Sequence, residues 1–524
     1  MVKAIRHTES WSKHIDPAVA SDYGGSTALC NMYDTLVFPK PEGGVKPWLA
    51  KSWTVSDDGL TYTFELQQGV KFHNGDELTA EDVVFSLNRL LAIGEGFAYL
   101  FLPYVQEVKA LDTYKVEITL KSPFGPFLNT LVRLYILNKK QVMANIQKDG
   151  PYGEFGDYGK GWLVTHDAGS GPYMVKEMKI EEYLLMEKFD DYWAGWENQD
   201  APQYVKIIPT TEAITVRTLM SRGELEFTDQ WQTSETLNAL DQLPNVDITN
   251  YYEGSILNLM LHNKKAPTDD IHFRKALAYC VDYQQIMDII FPGSRPSNMV
   301  PPSVPGYNPD LKPLSFDLTK AEEELKQSKY YGKLDQYTVE LVTNTDVPDL
   351  EKIALMLQAN AAKIGIKVEI VKASWTSIVD LVSKPETTPN CLVIWDAPSY
   401  AEAGSLLASR YHSKSCGTWE QTEWLQNPEI DKIIEDALAT VDEKERFQKY
   451  YSIQEKIYNE IFPTAWLAET PIRQAYRTDY LYFPAAEAGK QGKPVYTVMG
   501  YNYYFRDFKV FPERAQQPYT PFVP

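Results

Sequence analysis

Cysteine is scarce in this chain of 524 residues: Cys30, Cys280, Cys391 and Cys416 lie far apart with no C-x-x-C pair. That excludes zinc-knuckle and thioredoxin-like motifs and reads as small buried hydrophobes, with one disulfide through Cys416 in the loop Ser413–Gly417 left open. Histidine is scarce too, and none of the 7 pairs with another at i,i+4. There is no H-E-x-x-H, G-x-S-x-G, Walker or G-x-G-x-x-G motif and no EF-hand loop, so no metal or cofactor is expected and an enzyme reading is lowered. Positive charge is in deficit, with 51 Lys+Arg against 71 Asp+Glu and a net charge of -20. Such a chain repels phosphate backbones and anionic lipid, which argues against nucleic acid as a partner. No run approaches the ~20 apolar residues of a membrane span; Leu100–Val105 and Leu131–Leu137 are the longest candidates. The opening Met-Val-Lys-Ala-Ile-Arg-His has no apolar h-region, so any export signal is expected to have been removed and Met1 added.

Aromatic side chains, by contrast, are plentiful at 13% of residues, including 34 Tyr and 12 Trp. Their flat apolar faces and polar tips suit both cores and ligand grooves. The length implies two to four domains, and the hydropathy pattern changes three times along the chain. Leu60–Leu66 alternates as a strand. Thr79 with Asp82 three residues on has the spacing of a capping box ahead of a helix, and Val108–Leu120 alternates again, giving an α+β region over Leu49–Leu137. After Gly169-Ser170-Gly171-Pro172, strands are expected at Tyr173–Met178, Glu182–Lys188 and Tyr204–Ile208, then a helix at Thr215–Gly223 and extended chain at Leu225–Thr228. From Ile256 the order is α/β: strands at Ile256–Leu261, Tyr337–Thr343, Ile366–Val371 and Asn390–Trp395. Helices are expected at Phe273–Ile290, Thr319–Lys329, Leu350–Ile364, Asn427–Thr440 and Glu443–Ile461.

Several of these segments carry a resemblance. Leu49–Trp53, Ser56–Phe64, Gly69–Gly75 and Leu78–Ser86 resemble the signature of family 5 extracellular solute-binding proteins, the dipeptide- and oligopeptide-type binding components of ABC importers. The likeness continues, in family order, through Gly169–Tyr173, Arg274–Tyr279 with Asp282, Ala361–Ile370, Ala373–Trp375 and Asn427–Asp431. It implies a two-lobed α/β periplasmic binding protein fold (type II, the large cluster C form) with an extra α+β domain inserted in the first lobe. The implied boundaries are 1–37, 169–258 and 477–524 for the first lobe, 38–168 for the extra domain and 259–476 for the second lobe. Hinges are expected near Leu257–Leu261 and Arg473–Arg477. A location in the periplasm or on the outer cell surface, a monomeric state and delivery of a small oligomeric solute to a membrane permease are implied likewise.

By the same resemblance the ligand lies between the lobes, touched by Ser21, Asp22 and Tyr23 after the first strand, by Trp375, and by Trp395 with Asp396, Ser399, Tyr400 and Glu402. Trp231, flanked by Gln230 and Gln232, has the amide-edged aromatic character of a sugar platform; an edge-strand core residue is its structural alternative. Phe97 and Tyr99 read mainly as core. Peptide binders of the family place an Asp shortly after the second-lobe Trp, to pair with the α-amino group, where this chain has Pro398 or Ser399. Since a buried amine without a counter-ion is costly, an oligosaccharide is expected ahead of a peptide or an opine-like conjugate. Asp396, Asp22 and Glu402 stay open as alternative partners for an amine, and Arg410 or Lys384 for a carboxylate. A hydrolase using Asp229 and Glu402 ranks below these binding readings.

Overall fold

The computed structural model describes residues 1–10 and 14–524. The chain divides into two compact units, 1–251 with 472–524 and 252–471. The crossings fall at Tyr251/Tyr252 and Pro471/Ile472, each ahead of the stretch near which a hinge is expected. Ile256–Leu261 is paired on both sides within the second unit's sheet, against Cys391–Asp396 and Thr464–Glu469. The second expected hinge runs into the first-unit strand Ala475–Arg477, which pairs with Val246–Ile248.

The first unit opens with β1 (Ala4–Glu9) and α1 (Tyr23–Met32). An antiparallel sheet follows, in spatial order β2 (Ala50–Val55), β3 (Thr61–Leu66), β5 (Lys115–Leu120) and β4 (Val105–Asp112), with α2 (Ala80–Ile93) between β3 and β4 in the chain. The alternation over Val108–Leu120 breaks into a hairpin because Asp112 accepts from Tyr114 N (2.8 Å) and turns the chain. Thr79 and Asp82 form the expected capping box on α2. A second sheet runs β1, β8 (Tyr204–Pro209), β7 (Tyr183–Lys188), β6 (Tyr173–Lys179). Here β1 and β8 are parallel, and α3 (Ala213–Ser221) returns the chain so that Phe227 bridges His7 in parallel. Val216 and Met220 of α3 bury against Leu225, Leu237 and Ala475. The Gly-Ser-Gly-Pro motif is a point of close approach: a Cβ at Gly169 would stand 1.9 Å from Met32 O, and one at Gly171 2.4 Å from Asn31 O. Ser170 is buried there and donates to Asp34 (2.9 Å).

The second unit is built on a five-stranded mixed sheet of β9 (Ile256–Leu261), β10 (Thr338–Asn344), β11 (Lys367–Ala373), β12 (Cys391–Asp396) and β13 (Thr464–Glu469). Its spatial order is β11-β10-β12-β9-β13. Parallel β10 and β11 are joined by a helix over Asp349–Ala362, the β-α-β unit read from sequence. β9 and the edge strand β13 are buried along their length, as strands covered on both faces are. The helix expected at Phe273–Ile290 stops at Tyr279, because Asp282 accepts from Gln285 N and caps a new helical segment. All four cysteines are free, and Cys416 Sγ points to Gln421 Oε1 and Leu425 O.

Candidate functional site

Two clusters of carboxylates, one in each unit, gather most of the singled-out residues. In the first unit, β1 delivers Glu9 at its C-terminal end, and the bridge of Phe227 to His7 lays Asp229–Gln232 alongside it. Thr8 ties the two together: its Oγ1 donates to Asp229 Oδ2 (2.9 Å) and accepts from Asp229 N (3.0 Å). Trp231 N donates to Asp229 Oδ1 (2.9 Å), and Trp231 Nε1 donates to Glu9 Oε1 (3.1 Å). Gln232 Nε2 donates to both Asp229 oxygens (3.1 and 2.9 Å) and to Thr211 O (2.9 Å). The indole of Trp231 meets the Tyr23 ring edge-on at 6.3 Å, and Tyr23 meets Tyr503 at 5.7 Å. Asp22 caps α1 through Gly25 N (2.7 Å), and Ser21 is exposed.

No cation faces this cluster at ion-pair distance among the described residues, although Glu9 is only 1% exposed. Burial first, then the Asp229 charge, push the Glu9 carboxyl well above the usual range, with a smaller push from Asp22. Burial also raises Asp229, against the lowering effect of its bonds from Thr8 and Gln232. The buried oxygens Glu9 Oε2, Gln230 Oε1 and Gln232 Oε1 accept no hydrogen bond among the described residues.

In the second unit β12 ends on Trp395 and Asp396. Trp395 Nε1 donates to Thr470 (3.0 Å) and its ring is edge-on to Phe291 at 5.1 Å. Asp396 Oδ1 accepts from Ala397 N (2.8 Å), while Oδ2 stands 3.6 Å from Arg410 Nη1. Arg410 is fully buried on the helix Ala403–Tyr411 and is claimed by Glu423 at 2.5 Å. It is therefore not open to a solute carboxylate. Glu420 adds a third acid: burial and the Asp396 charge push it up to about 8, and burial lifts Asp396 to about 6 against the pull of Arg410. Beside Glu420, Trp419 meets Trp375 edge-on at 5.5 Å, where Trp375 opens the helix Trp375–Val382. Ser399 is half-buried, its N–H donating to Ser405 Oγ (2.8 Å), and Tyr400 is buried.

Besides Arg410, two sequence readings change. Glu402 is 0% exposed and held by Arg446 (2.6 and 3.1 Å) and Tyr450 (2.7 Å), which ties it into the second unit's interior and weakens both its amine-partner and hydrolase readings. Tyr99, read mainly as core, is exposed, whereas Phe97 is core, packed under Arg133 at 4.4 Å. Lys384 is exposed. Glu9, Thr8, Trp419, Glu420 and Glu423 were not legible from sequence; an acid ending a fully buried strand was the available signal for Glu9. Among the described residues, no group of three or more His, Cys, Asp or Glu is arranged to hold a metal ion.

The fold is that of the two-lobed periplasmic binding proteins. The model of the bacterial extracellular solute-binding proteins, family 5, matches residues 44–415, and the chain belongs to that family. It is therefore a substrate-binding component of ABC importers, which bind a small solute and work with a membrane permease. The chain is 30% identical to the probable D,D-dipeptide-binding periplasmic protein DdpA of Escherichia coli, over 85% of this chain and 84% of that protein. It is 25% identical to heme-binding protein A of Haemophilus influenzae, over 82% of this chain and 80% of that protein. Among solved structures, DppA of Helicobacter pylori in complex with the peptide STSA superposes with a TM-score of 0.79 at 24% identity, covering 97% of this chain and 98% of that one. DdpA and DppA are named as periplasmic binding proteins, and no helix among the described residues is long and apolar enough to cross a membrane.

Proposed function

We propose that this chain captures a peptide or peptide-like solute bearing a protonated amine and passes it, unaltered, to an importer's permease. The observation that carries the reading is the charge imbalance in the second unit, where three buried or half-buried carboxylates, Asp396, Glu420 and Glu423, share the single guanidinium of Arg410. The expectation of an oligosaccharide rested on Pro398 or Ser399 standing where an acid would meet the amine. Asp396 and Glu420 supply that acid from neighbouring positions, which removes the physical reason for an uncharged solute. Relatives named for dipeptides, oligopeptides and glutathione support a peptide-like solute, while others are named for haem and nickel. The oligosaccharide reading is accordingly withdrawn as the leading one.

Capture by closure of the two units on the solute, with the protein acting as a monomer, belongs to this reading, since a ligand drives closure only through differential contacts with the closed state. A thermal-shift screen of di- to pentapeptides against linear oligosaccharides tests it. Free peptides raise the melting temperature and are recovered intact by mass spectrometry. Stabilisation by oligosaccharides alone, or repeated turnover of the peptide, contradicts it.

A further inference from the structure

The first unit holds a second, independent feature that the proposed function does not use. Glu9 and Asp229 lie side by side at the end of β1, and the ring nitrogen and amide donors around them are already spent: Trp231 Nε1 on Glu9 Oε1, Gln232 Nε2 on Asp229. With Glu9 ionised, as it is beside a bound cation, what is left over is entirely acceptor. Among the described residues Glu9 Oε2 has no partner, and neither has Oε1 of Gln232, a side chain only 7% exposed whose orientation is fixed because Asp229 requires its NH2 group. Gln230 Oε1, on the same loop, is a third buried oxygen with no donor. Buried polar atoms in native proteins are nearly always satisfied, so three orphan acceptors on one loop and strand end call for an external donor. An unpaired buried carboxylate beside a second one calls for a positive charge. The flat faces of Trp231 and Tyr23 at the rim add surfaces on which a cation is favourable.

We propose that Glu9, with Asp229 and the Oε1 atoms of Gln230 and Gln232, forms a pocket for a second cationic group of the solute, an alkylammonium or guanidinium such as a lysine or arginine side chain carries. An alkylammonium brings three N–H donors and a guanidinium five, enough to satisfy the orphan oxygens. This rests on the solute-binding reading above, but it involves residues of the first unit alone and fails separately from it.

The test compares tripeptides of alanine with lysine at each position in turn against the same peptides with norleucine, the isosteric uncharged side chain, by isothermal titration on the wild type and Glu9→Gln. Cadaverine, a diamine with no peptide group, is added in parallel with melting temperature as readout. The expected result is at least about tenfold tighter binding of one lysine peptide over its norleucine twin, a ratio that collapses toward one in Glu9→Gln, and a cadaverine-induced rise in melting temperature lost in the same variant. Removing a carboxylate with no counter-ion should leave ligand-free Glu9→Gln at least as stable as the wild type, as functional acids do and structural ones do not. Peptides that bind without lysine preference overturn the pocket and leave the proposed function standing. Cadaverine stabilisation lost in Glu9→Gln, without any peptide binding, supports the pocket and contradicts the proposed function. A protein stabilised by none of these probes contradicts both, and a ligand-free Glu9→Gln that melts well below the wild type marks Glu9 as structural.

Discussion

The buried acids of this chain fall into two kinds, those that meet a guanidinium and those that do not. In the second unit Glu402 is clamped by Arg446 and Tyr450, and Glu423 by Arg410 and Thr464. The first unit contains equally complete pairs, Asp16 with Arg89 (2.7 and 2.6 Å) and Glu226 with Arg6 (2.7 Å), and yet leaves Glu9 and Asp229 with only neutral donors. The contrast is thus between paired and unpaired carboxylates, not between units. A buried ion pair adds little net stability but is expensive to halve, whereas an unpaired acid is costly as it stands. Among the described residues, a guanidinium meets Asp16, Glu226, Glu402 and Glu423 but not Glu9, which marks Glu9 as a different kind of residue.

The largest effect should come from breaking the paired set. Arg410→Leu and Arg89→Leu each strand buried carboxylates and should cost about 3–5 kcal/mol, one in each unit, read by urea denaturation. A loss below about 1 kcal/mol for either would mean that these pairs are not what neutralises the acids.

A smaller effect concerns pH. Asp396 and Glu420 have folded-state values raised to about 6 and about 8. The folded protein therefore keeps protons that the unfolded chain releases near ~4, and their contribution is greatest at acid pH and is lost as pH rises between about 4 and 8. The melting temperature of the ligand-free protein should fall over that window, with a flatter profile in Glu420→Gln. An unchanged profile in that variant would contradict the charge imbalance on which the proposed function rests. Removing an unpaired acid should have the smallest effect and the opposite sign. Glu9→Gln is expected to gain on the order of 0.5–1 kcal/mol without ligand, and a loss of that size would erase the distinction between paired and unpaired acids.

How much of this the sequence carries depends on range. The capping box at Thr79 and Asp82 and the β-α-β unit around Asp349–Ala362 are local and were readable. The helix after Phe273 was overrun because Asp282 works as a cap in a run that is apolar enough to continue. Trp231 was picked out by its amide neighbours, but its indole N–H belongs to Glu9, 222 positions away, and no local pattern records that bond. Arg410 was read as free to receive a carboxylate; Glu423, 13 residues on, already occupies it. A positive residue in a sequence announces a charge and not who claims it, whereas the family was legible from its ordered motifs.

The most direct measurement is an isothermal titration of the wild-type protein with Ala-Ala-Ala and with its N-acetylated form. The account predicts one-to-one binding of the free peptide, weakened at least about tenfold on acetylation, because the acids of the second unit lack enough protein cations. Equal affinity for both forms, or heat from linear oligosaccharides and none from either peptide, would contradict it.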